Sequence, residues 1–279
     1  MQKTKFALSV VSAAALLTLA ACGGGGGDSA PAAQQPSTPT PPAPAVTVQG
    51  SAPAVAADPL ALIFVPQDAV SRGVSSHAYV TSAVAASAQT KTTAGAYTTL
   101  GANSSVNVVL TSGTVTDLAG NGSFALGRWT NGATSQGNVS VNQGSHYVVG
   151  APLTVTPDLT VGAPDVKASC TVIAATQPTA VSGNFPVGKL NSATATVGLT
   201  FASLDSFALD VAIGSDTHAT ASLTNAPLKG VSLGTASVPG TYLIQTLGTD
   251  AKKPLLAVGY TIPTPSSGDV SGVVVLSCQ

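Results

Sequence analysis

The sequence predicts an all-β protein, and its composition and residue pattern both indicate this fold class. Only 8% of the residues are charged and glutamate is absent, so the chain lacks the side chains that usually cover exposed helix faces. Short segments rich in Val and Thr are separated by Gly, Pro, Asn and Asp at close intervals. In several of these segments apolar and polar residues alternate, which is the period of a strand with one buried face.

We expect two β regions after an N-terminal leader and linker. A β-rich region is predicted over residues 54–160, and a compact eight-stranded antiparallel β-barrel over residues 161–279. A β-sandwich is the alternative architecture for the second region.

Residues 1–21 have the pattern of a secretion signal. Lys3 and Lys5 precede an apolar run, Phe6 to Ala21, that is short for a membrane-spanning helix. The following Leu19-Ala20-Ala21-Cys22 resembles the lipobox of bacterial lipoproteins, in which the signal is cut before the cysteine and the cysteine receives the fatty-acyl anchor. The alternative is an ordinary signal peptide that is cut at a small-residue site.

The resemblance to bacterial lipoproteins also implies a location. Inner-membrane retention in many Gram-negative bacteria is signalled by Asp directly after the acylated cysteine, and this chain has Gly23 there. We therefore expect lipidation of Cys22 and sorting to the outer membrane, where the protein faces either the periplasm or the cell surface.

The composition of residues 22–53 predicts a flexible linker. Five glycines follow Cys22 and lead into a tract of Pro, Ala, Ser and Thr. Such a composition acts as a spacer between an anchor and a folded domain. A proline-rich ligand for another domain is the alternative interpretation.

The charge balance argues against a nucleic-acid partner. The formal net charge is −1, and loss of Lys3 and Lys5 with the signal makes it −3. Removal of 21 residues from 279 leaves 258, which is enough for one large domain or two ordinary ones. No basic patch is visible, so the expected partners are the membrane, through the lipid, and an unidentified protein or small ligand.

The first region contains five predicted strands. They are Leu60–Val65, His77–Val84, Ser105–Leu110, Ser123–Thr130 and His146–Val149.

The second region contains eight predicted strands with clearer alternation. They are Ala168–Ala174, Ser192–Phe201, Phe207–Ile213, Thr217–Leu223, Val231–Ser237, Thr241–Leu247, Leu255–Ile262 and Val270–Cys278. Leu199, Phe201 and Leu209 are assigned to the inner face, and Thr200 and Asp210 to the outer face.

The two cysteines left after lipidation are predicted to form a disulfide. In a closed barrel with an even number of antiparallel strands, the first and last strands are neighbours of opposite direction. Cys170 lies near the start of the first strand and Cys278 at the end of the last, so both fall at the same end. Cys170 is expected to share its face with Val172. The alternative is two buried free thiols, although export to an oxidising compartment favours the bond.

Several short motifs resemble those of surface lipoproteins related to the transferrin-binding protein B barrel, and of barrel regions attached to some FecR-type proteins. They are Gly127-Arg128-Trp129, His146-Tyr147-Val148-Val149-Gly150, the strand Cys170–Ala175, and Gly272-Val273-Val274-Val275-Leu276. The resemblance covers roughly residues 124–279 and implies a compact eight-stranded barrel paired with a β-rich handle. The Gly-Phe-Phe-Gly-type signatures of true transferrin receptors are missing, so iron-protein binding is not carried over.

No catalytic or metal-binding motif is present in the sequence. It contains no Gly-x-Ser-x-Gly, His-Glu-x-x-His, phosphate-binding loop, Cys-x-x-Cys or Asp-x-Asp-x-Asp pattern. His77, His146 and His218 lie far apart in the chain, each among strand residues. We expect no catalytic residue, no metal ligand and no cofactor.

Arg128-Trp129 is the candidate recognition site. Trp129 is the single tryptophan of the chain, and Trp and Arg are both favoured at the centres of protein interfaces. The alternative is a packing role, in which Trp129 fills the junction between the two β regions and the Arg128 stem lies across it.

The sequence as a whole predicts a lipid-anchored outer-membrane protein that acts as a binding or interaction module and not as an enzyme. The alternatives are a structural protein of the cell envelope without a soluble ligand, and a hydrolase.

Overall fold

The structure, a computed structural model, describes residues 45–101 and 107–279. These residues are all-β, as predicted, and form two curled antiparallel sheets that resemble barrels. The signal segment, Cys22, most of the linker and the first two residues of the predicted strand Ser105–Leu110 lie outside the described residues. Among the residues described, no helix is long and apolar enough to cross a membrane.

The first sheet has nine strands. They are β1 Val46–Val48, β2 Leu60–Val65, β3 Tyr79–Val84, β4 Thr90–Lys91, β5 Tyr97–Gly101, β6 Asn107–Gly120, β7 Phe124–Thr134, β8 Gly137–Val139 and β9 Ser145–Gly150. A 3₁₀ turn at Ala86–Ala88 follows β3.

The first sheet curls around an aromatic core. Its strand order is β3-β2-β9-β7-β6-β5-β4, with β1 parallel to β6 and β8 beside β7. The long strand β6 has three register shifts against β7, one of them at Gly113, where φ is 123°. A Cβ at Gly113 would lie 2.8 Å from the carbonyl oxygen of Thr130, so only glycine fits this bend. The bend wraps the sheet over Phe64, Trp129 and Tyr147.

The second sheet also has nine strands, one of which is very short. They are β10 Lys167–Ala175, β11 Thr179–Ala180, β12 Lys189–Gly198, β13 Ser203–Ile213, β14 Asp216–Pro227, β15 Lys229–Leu233, β16 Thr241–Leu247, β17 Leu255–Thr264 and β18 Gly268–Cys278. All eight predicted strands of this region are therefore present, with shifts at several ends.

The second sheet is nearly closed and has one open seam. Its order is β14-β13-β12-β10-β18-β17-β16-β15, with β11 beside β18. β10 and β18 pair antiparallel at the middle of this order, so the predicted neighbour relation of the first and last strands is confirmed. β14 and β15 stand at the two ends of the order and do not pair with each other.

The seam has a simple cause in the chain. Leu228 alone separates β14 from β15. One residue is too few to reverse the chain into a hairpin, which takes about two residues or more. The chain therefore continues from β14 into β15 through a bend, and the strands diverge from that corner. We call the gap between β14 and β15 the open seam.

The predicted facing of the strands is confirmed in the middle of β12, β13 and β14. Ala193, Leu209 and Ala221 point into the core, whereas Thr194, Ala208 and Thr220 on the same strands are exposed. These strands have solvent on one side, which is why their alternation was readable from the sequence.

The prediction is wrong at the end of β12. The strand ends at Gly198, and residues 199–202 form a turn in which Ala202 has φ of 51°. Phe201 is 62% exposed instead of inward. Thr200 is buried, its hydroxyl donating to the carbonyl oxygen of Pro164 at 2.6 Å and accepting from the amide of Val166 at 2.9 Å. Thr200 is therefore an internal brace of the turn, and an Asp there would lose the hydroxyl donor.

A second difference concerns β10. Val172 is 36% exposed, whereas Cys170 is buried. The two residues still lie in one register, Cys170 opposite Cys278 and Val172 opposite Leu276, and the extra residue follows Val172.

The two sheets pack against each other through a third apolar cluster. It includes Ile63 of β2, Val148 of β9, Leu243 of β16, Ala257 of β17 and Val275 of β18. Each of these strands is buried on both faces, because its other face lines the core of its own sheet. The result is three apolar layers: one inside each curled sheet and one between the sheets.

Candidate binding cleft

Trp129 lies inside the core of the first sheet. Its side chain is fully buried, and its ring nitrogen Nε1 donates to the carbonyl oxygen of Tyr97 at 2.8 Å. The rings of Phe64 and Tyr147 lie 5.6 and 6.0 Å away, centroid to centroid. Trp129 is therefore an anchor of this core and does not face the junction between the sheets or a partner.

Arg128 is also buried, with 3% of its surface exposed. Its Nε donates to Asp117 Oδ2 at 2.7 Å, and an Nη donates to Gln177 Oε1 at 3.3 Å. Asp117 Oδ2 also accepts the backbone amide of Gln177 at 2.9 Å. Asp117 and Arg128 belong to the first sheet, whereas Gln177 follows β10 of the second, so this ion pair joins the two sheets.

The predicted disulfide is present. Cys170 and Cys278 are bonded and face each other in the β10–β18 ladder, with their Cα atoms 4.0 Å apart. The bond fastens the first strand of the second sheet to the last.

We expect Cys170→Ser together with Cys278→Ser to destabilise the protein. The bond closes a loop with a sequence separation of 108 residues. The chain-entropy model gives up to about 4–5 kcal/mol for a loop of this length, and disulfides typically contribute about 2–4 kcal/mol to the free energy of unfolding. Denaturant unfolding of the exported wild type and the double variant measures the difference. An alkylating label that reacts with both cysteines without prior reduction would contradict the bond itself.

The fold keeps the three histidines apart. His77 contacts Asp68 at 3.1 Å, His218 contacts Asp210 at 2.8 Å, and His146 is buried between the hydroxyls of Thr176 and Thr179. In the described part of the chain, no group of three or more His, Cys, Asp or Glu residues is placed to hold a metal ion.

His146 makes stability depend on pH. Burial, and secondly the positive charge of Arg128, lower the pKa of its imidazole well below the ordinary value of 6.5. The unfolded chain binds a proton below that value and the folded chain does not, so stability is present above about pH 6.5 and falls with pH below it. We expect the melting temperature of wild type to drop between pH 7.5 and 5.5, and that of His146→Gln to drop less. If the melting temperatures of the two proteins fall equally between pH 7.5 and 5.5, His146 is not the group that makes stability depend on pH.

A cleft opens on the β14 side of the seam. It has a volume of about 860 Å³. One side is formed by His218–Ser222 of β14 with Ala208–Asp210 and Ser192 behind them, and the other by Ser237–Pro239 and Pro263–Pro265. We call this space the seam cleft.

The seam cleft runs along the edge of β14. Its lining includes the outward residues His218, Thr220 and Ser222 and the inward residues Ala219 and Ala221 of the same strand. Because β14 ends the strand order of its sheet, the part of the cleft that touches both faces of this strand lies at its free edge. Among the described residues, no backbone group of His218–Ser222 hydrogen-bonds to any strand other than β13.

The seam cleft contains one carboxylate, which hydrogen-bonds a histidine. Asp210 Oδ2 lies 2.8 Å from His218 Nδ1, and Asp210 Oδ1 accepts from Asn191 Nδ2 at 3.1 Å. The hydrogen bond from His218, assisted by that from Asn191, lowers the pKa of the Asp210 carboxyl. No hydroxyl of the described residues hydrogen-bonds the other ring nitrogen of His218, so the pair does not extend to a Ser-His-Asp triad.

Sequence reasoning placed the candidate site at Arg128-Trp129 and missed the seam cleft. The outward facing of His218, Thr220 and Ser222 was readable from the alternation. The separation of β14 from β15 was not, because the predicted bounds leave residues 224–230 between the two strands, which is enough for an ordinary hairpin. No family model, no characterised protein and no solved structure matches this chain significantly.

Proposed function

We propose that this protein is a binding module without catalytic activity, held at the outer membrane by a lipid on Cys22, and that the seam cleft is its binding site. The observation that carries the proposal is the unpaired edge of β14 along one side of a cleft of about 860 Å³. Free strand edges are normally covered or charged because they pair with other chains. An uncovered edge inside a cleft is therefore a site at which a partner gains backbone hydrogen bonds.

The surroundings of the cleft support a binding role. Its strand β14 belongs to a sheet that is fastened by the Cys170–Cys278 bond and packed against the first sheet. Binding sites built on rigid strands hold their geometry without ordering on contact. The lining is mostly hydroxyl, small apolar and proline side chains, and its one carboxylate, Asp210, is hydrogen-bonded by Asn191 and His218.

The binding site is tested with two matched arginine variants of the lipid-free mature chain. Thr220 and Thr224 are both exposed on the same face of β14, but only Thr220 lines the cleft. We expect a partner captured from envelope or medium fractions to be retained by wild type and by Thr224→Arg, and to be lost by Thr220→Arg. Equal capture by all three proteins would place the binding site elsewhere, and capture of nothing by any of them would contradict the binding role.

The tether is tested separately. The sequence Leu19-Ala20-Ala21-Cys22 supports it, and Cys22→Ala removes the thiol that would carry the lipid. We expect wild type to fractionate with outer membranes and the variant to appear unprocessed or as a soluble exported protein. A processed Cys22→Ala variant that still sediments with membranes would contradict the lipid anchor.

A further inference from the structure

We infer that the seam cleft binds an extended segment of a partner protein as an added β-strand along β14. This inference rests on the proposed function, because it names the chemistry of the partner that the same cleft accepts. It goes further in stating that the main contact is made by the backbone of the partner, with residues His218–Ser222 as the receiving edge.

The first support is the hydrogen-bonding capacity of the edge. Each residue of a strand carries an amide donor and a carbonyl acceptor, and alternate residues direct these groups to one edge. β14 has twelve residues and pairs only with β13, so its second edge is without a strand. An extended chain is the ligand whose donors and acceptors repeat with the same spacing.

The second support is the composition of the edge. Natural edge strands are protected by lysine, proline, bulges or a covering segment. Residues 217–224 of β14 include no Lys, Arg, Asp, Glu or Pro. The stretch His218–Ser222 lies in a recess that faces the segments Ser237–Pro239 and Pro263–Pro265. This recess shields the edge in place of a lysine, a proline or a bulge. The recess hinders the approach of another whole sheet and leaves room for a single strand.

The third support is the opposite wall. It contains Pro239, Pro263 and Pro265 together with Val238. Proline has no backbone N–H, so these three residues offer no backbone donor that competes with β14 for the guest. They offer apolar surface instead. A guest strand would hydrogen-bond to β14 on one edge and contact the proline rings on the other.

The charges and sizes of the lining define the guest. Asp210 is the one carboxylate of the lining, and the lining contains no Lys or Arg, so an anionic guest would lose hydration without gaining an opposite charge. The inward residues here are Ala219 and Ala221, whereas the neighbouring inward residue of β13 is Leu209. A guest side chain on the same face as Ala219 and Ala221 meets this apolar core. The guest is therefore without acidic residues, with apolar side chains at every second position.

A second copy of this chain fits the cleft less well. The recess hinders a second whole sheet, so two copies would pair over the five residues His218–Ser222 and not over all twelve residues of β14. Stable interfaces bury roughly 1,200 Å² or more in total, which such a short ribbon does not supply without further contacts. A segment from a different protein can enter as a separate strand and needs no second contact surface.

The test uses the mature chain and a capped eight-residue peptide of alternating threonine and valine that carries a fluorescent label. Two further peptides are N-methylated at alternate residues, one along each edge of the strand. We expect the parent peptide to bind, one N-methylated peptide to bind at least about tenfold more weakly, and the other to bind like the parent, because only one edge faces β14. Thr220→Arg should abolish binding and Thr224→Arg should not.

Four results would overturn this inference. They are no binding of the parent peptide, equal binding of the two N-methylated peptides, a dimer of the chain that Thr220→Arg dissociates, and peptide binding that appears only after removal of residues 22–44. The dimer would identify a second copy of the chain as the occupant of the cleft. Binding only after removal of residues 22–44 would identify that segment of the same chain as the occupant. If partner capture is still lost in Thr220→Arg while N-methylation has no effect, the proposed binding site stands and strand addition fails.

Discussion

Leu209→Asp is expected to abolish cooperative folding of the second sheet or to lower its free energy of unfolding by at least about 4 kcal/mol. Leu209 is 2% exposed and belongs to the core that β12, β13 and β14 enclose. An aspartate there would bury a carboxylate with apolar neighbours and no positive partner. Denaturant unfolding followed by circular dichroism measures the loss.

Ala208→Asp is the matched control for this change. Ala208 is the preceding residue on β13 and is exposed on the opposite face. We expect it to change the free energy of unfolding by less than about 0.5 kcal/mol. Equal losses for Ala208→Asp and Leu209→Asp would mean that the register of β13, and with it the core of the second sheet, is wrong.

Arg128→Met should cost about 3–5 kcal/mol, because it leaves the Asp117 carboxylate buried without its cation. The Arg128 and Asp117 side chains are 4% and 10% exposed, and their atoms are 2.7 Å apart. The pair also holds Gln177 of the second sheet, so its loss weakens the contact between the sheets. Thermal and denaturant unfolding both report this change.

The double variant Asp117→Asn with Arg128→Met separates the ion pair from the packing of the arginine stem. Asp117 has φ of 55°, a conformation that asparagine also tolerates. We expect the double variant to be more stable than Arg128→Met alone, because no charge is then left buried. If the loss of stability in the double variant equals the sum of the losses in Asp117→Asn and Arg128→Met, the two side chains do not interact.

The part of the fold that faces solvent was predictable from the sequence. In β12, β13 and β14 one face is exposed, so residues such as Ala219 and Thr220 alternate visibly. The disulfide followed from the same reasoning, since strand order places Cys170 beside Cys278. The turn at residues 199–202 was missed because Thr200 is polar and yet braces the segment that ends at Val166.

Neither the packing of the two sheets against each other nor the cleft was predictable in the same way. Strands such as β2 and β16 are buried on both faces and show no alternation that distinguishes one core from another. Trp129 looked like a recognition residue because it is unique, whereas its position depends on the bend of β6 and on Tyr97. The cleft depends on two strands that do not pair, and pairing partners are not encoded in the pattern of a single strand.

Residue-resolved amide hydrogen exchange along His218–Ser222 tests the central claim most directly, because the claim is that β14 has one paired and one free edge. In the mature chain without a partner, alternate amides should exchange quickly while their neighbours, which hydrogen-bond to β13, exchange slowly. The capped peptide should then slow the fast amides. Uniform protection of all five amides in the free protein would show that the seam is closed, and would contradict both the cleft and the strand addition proposed for it.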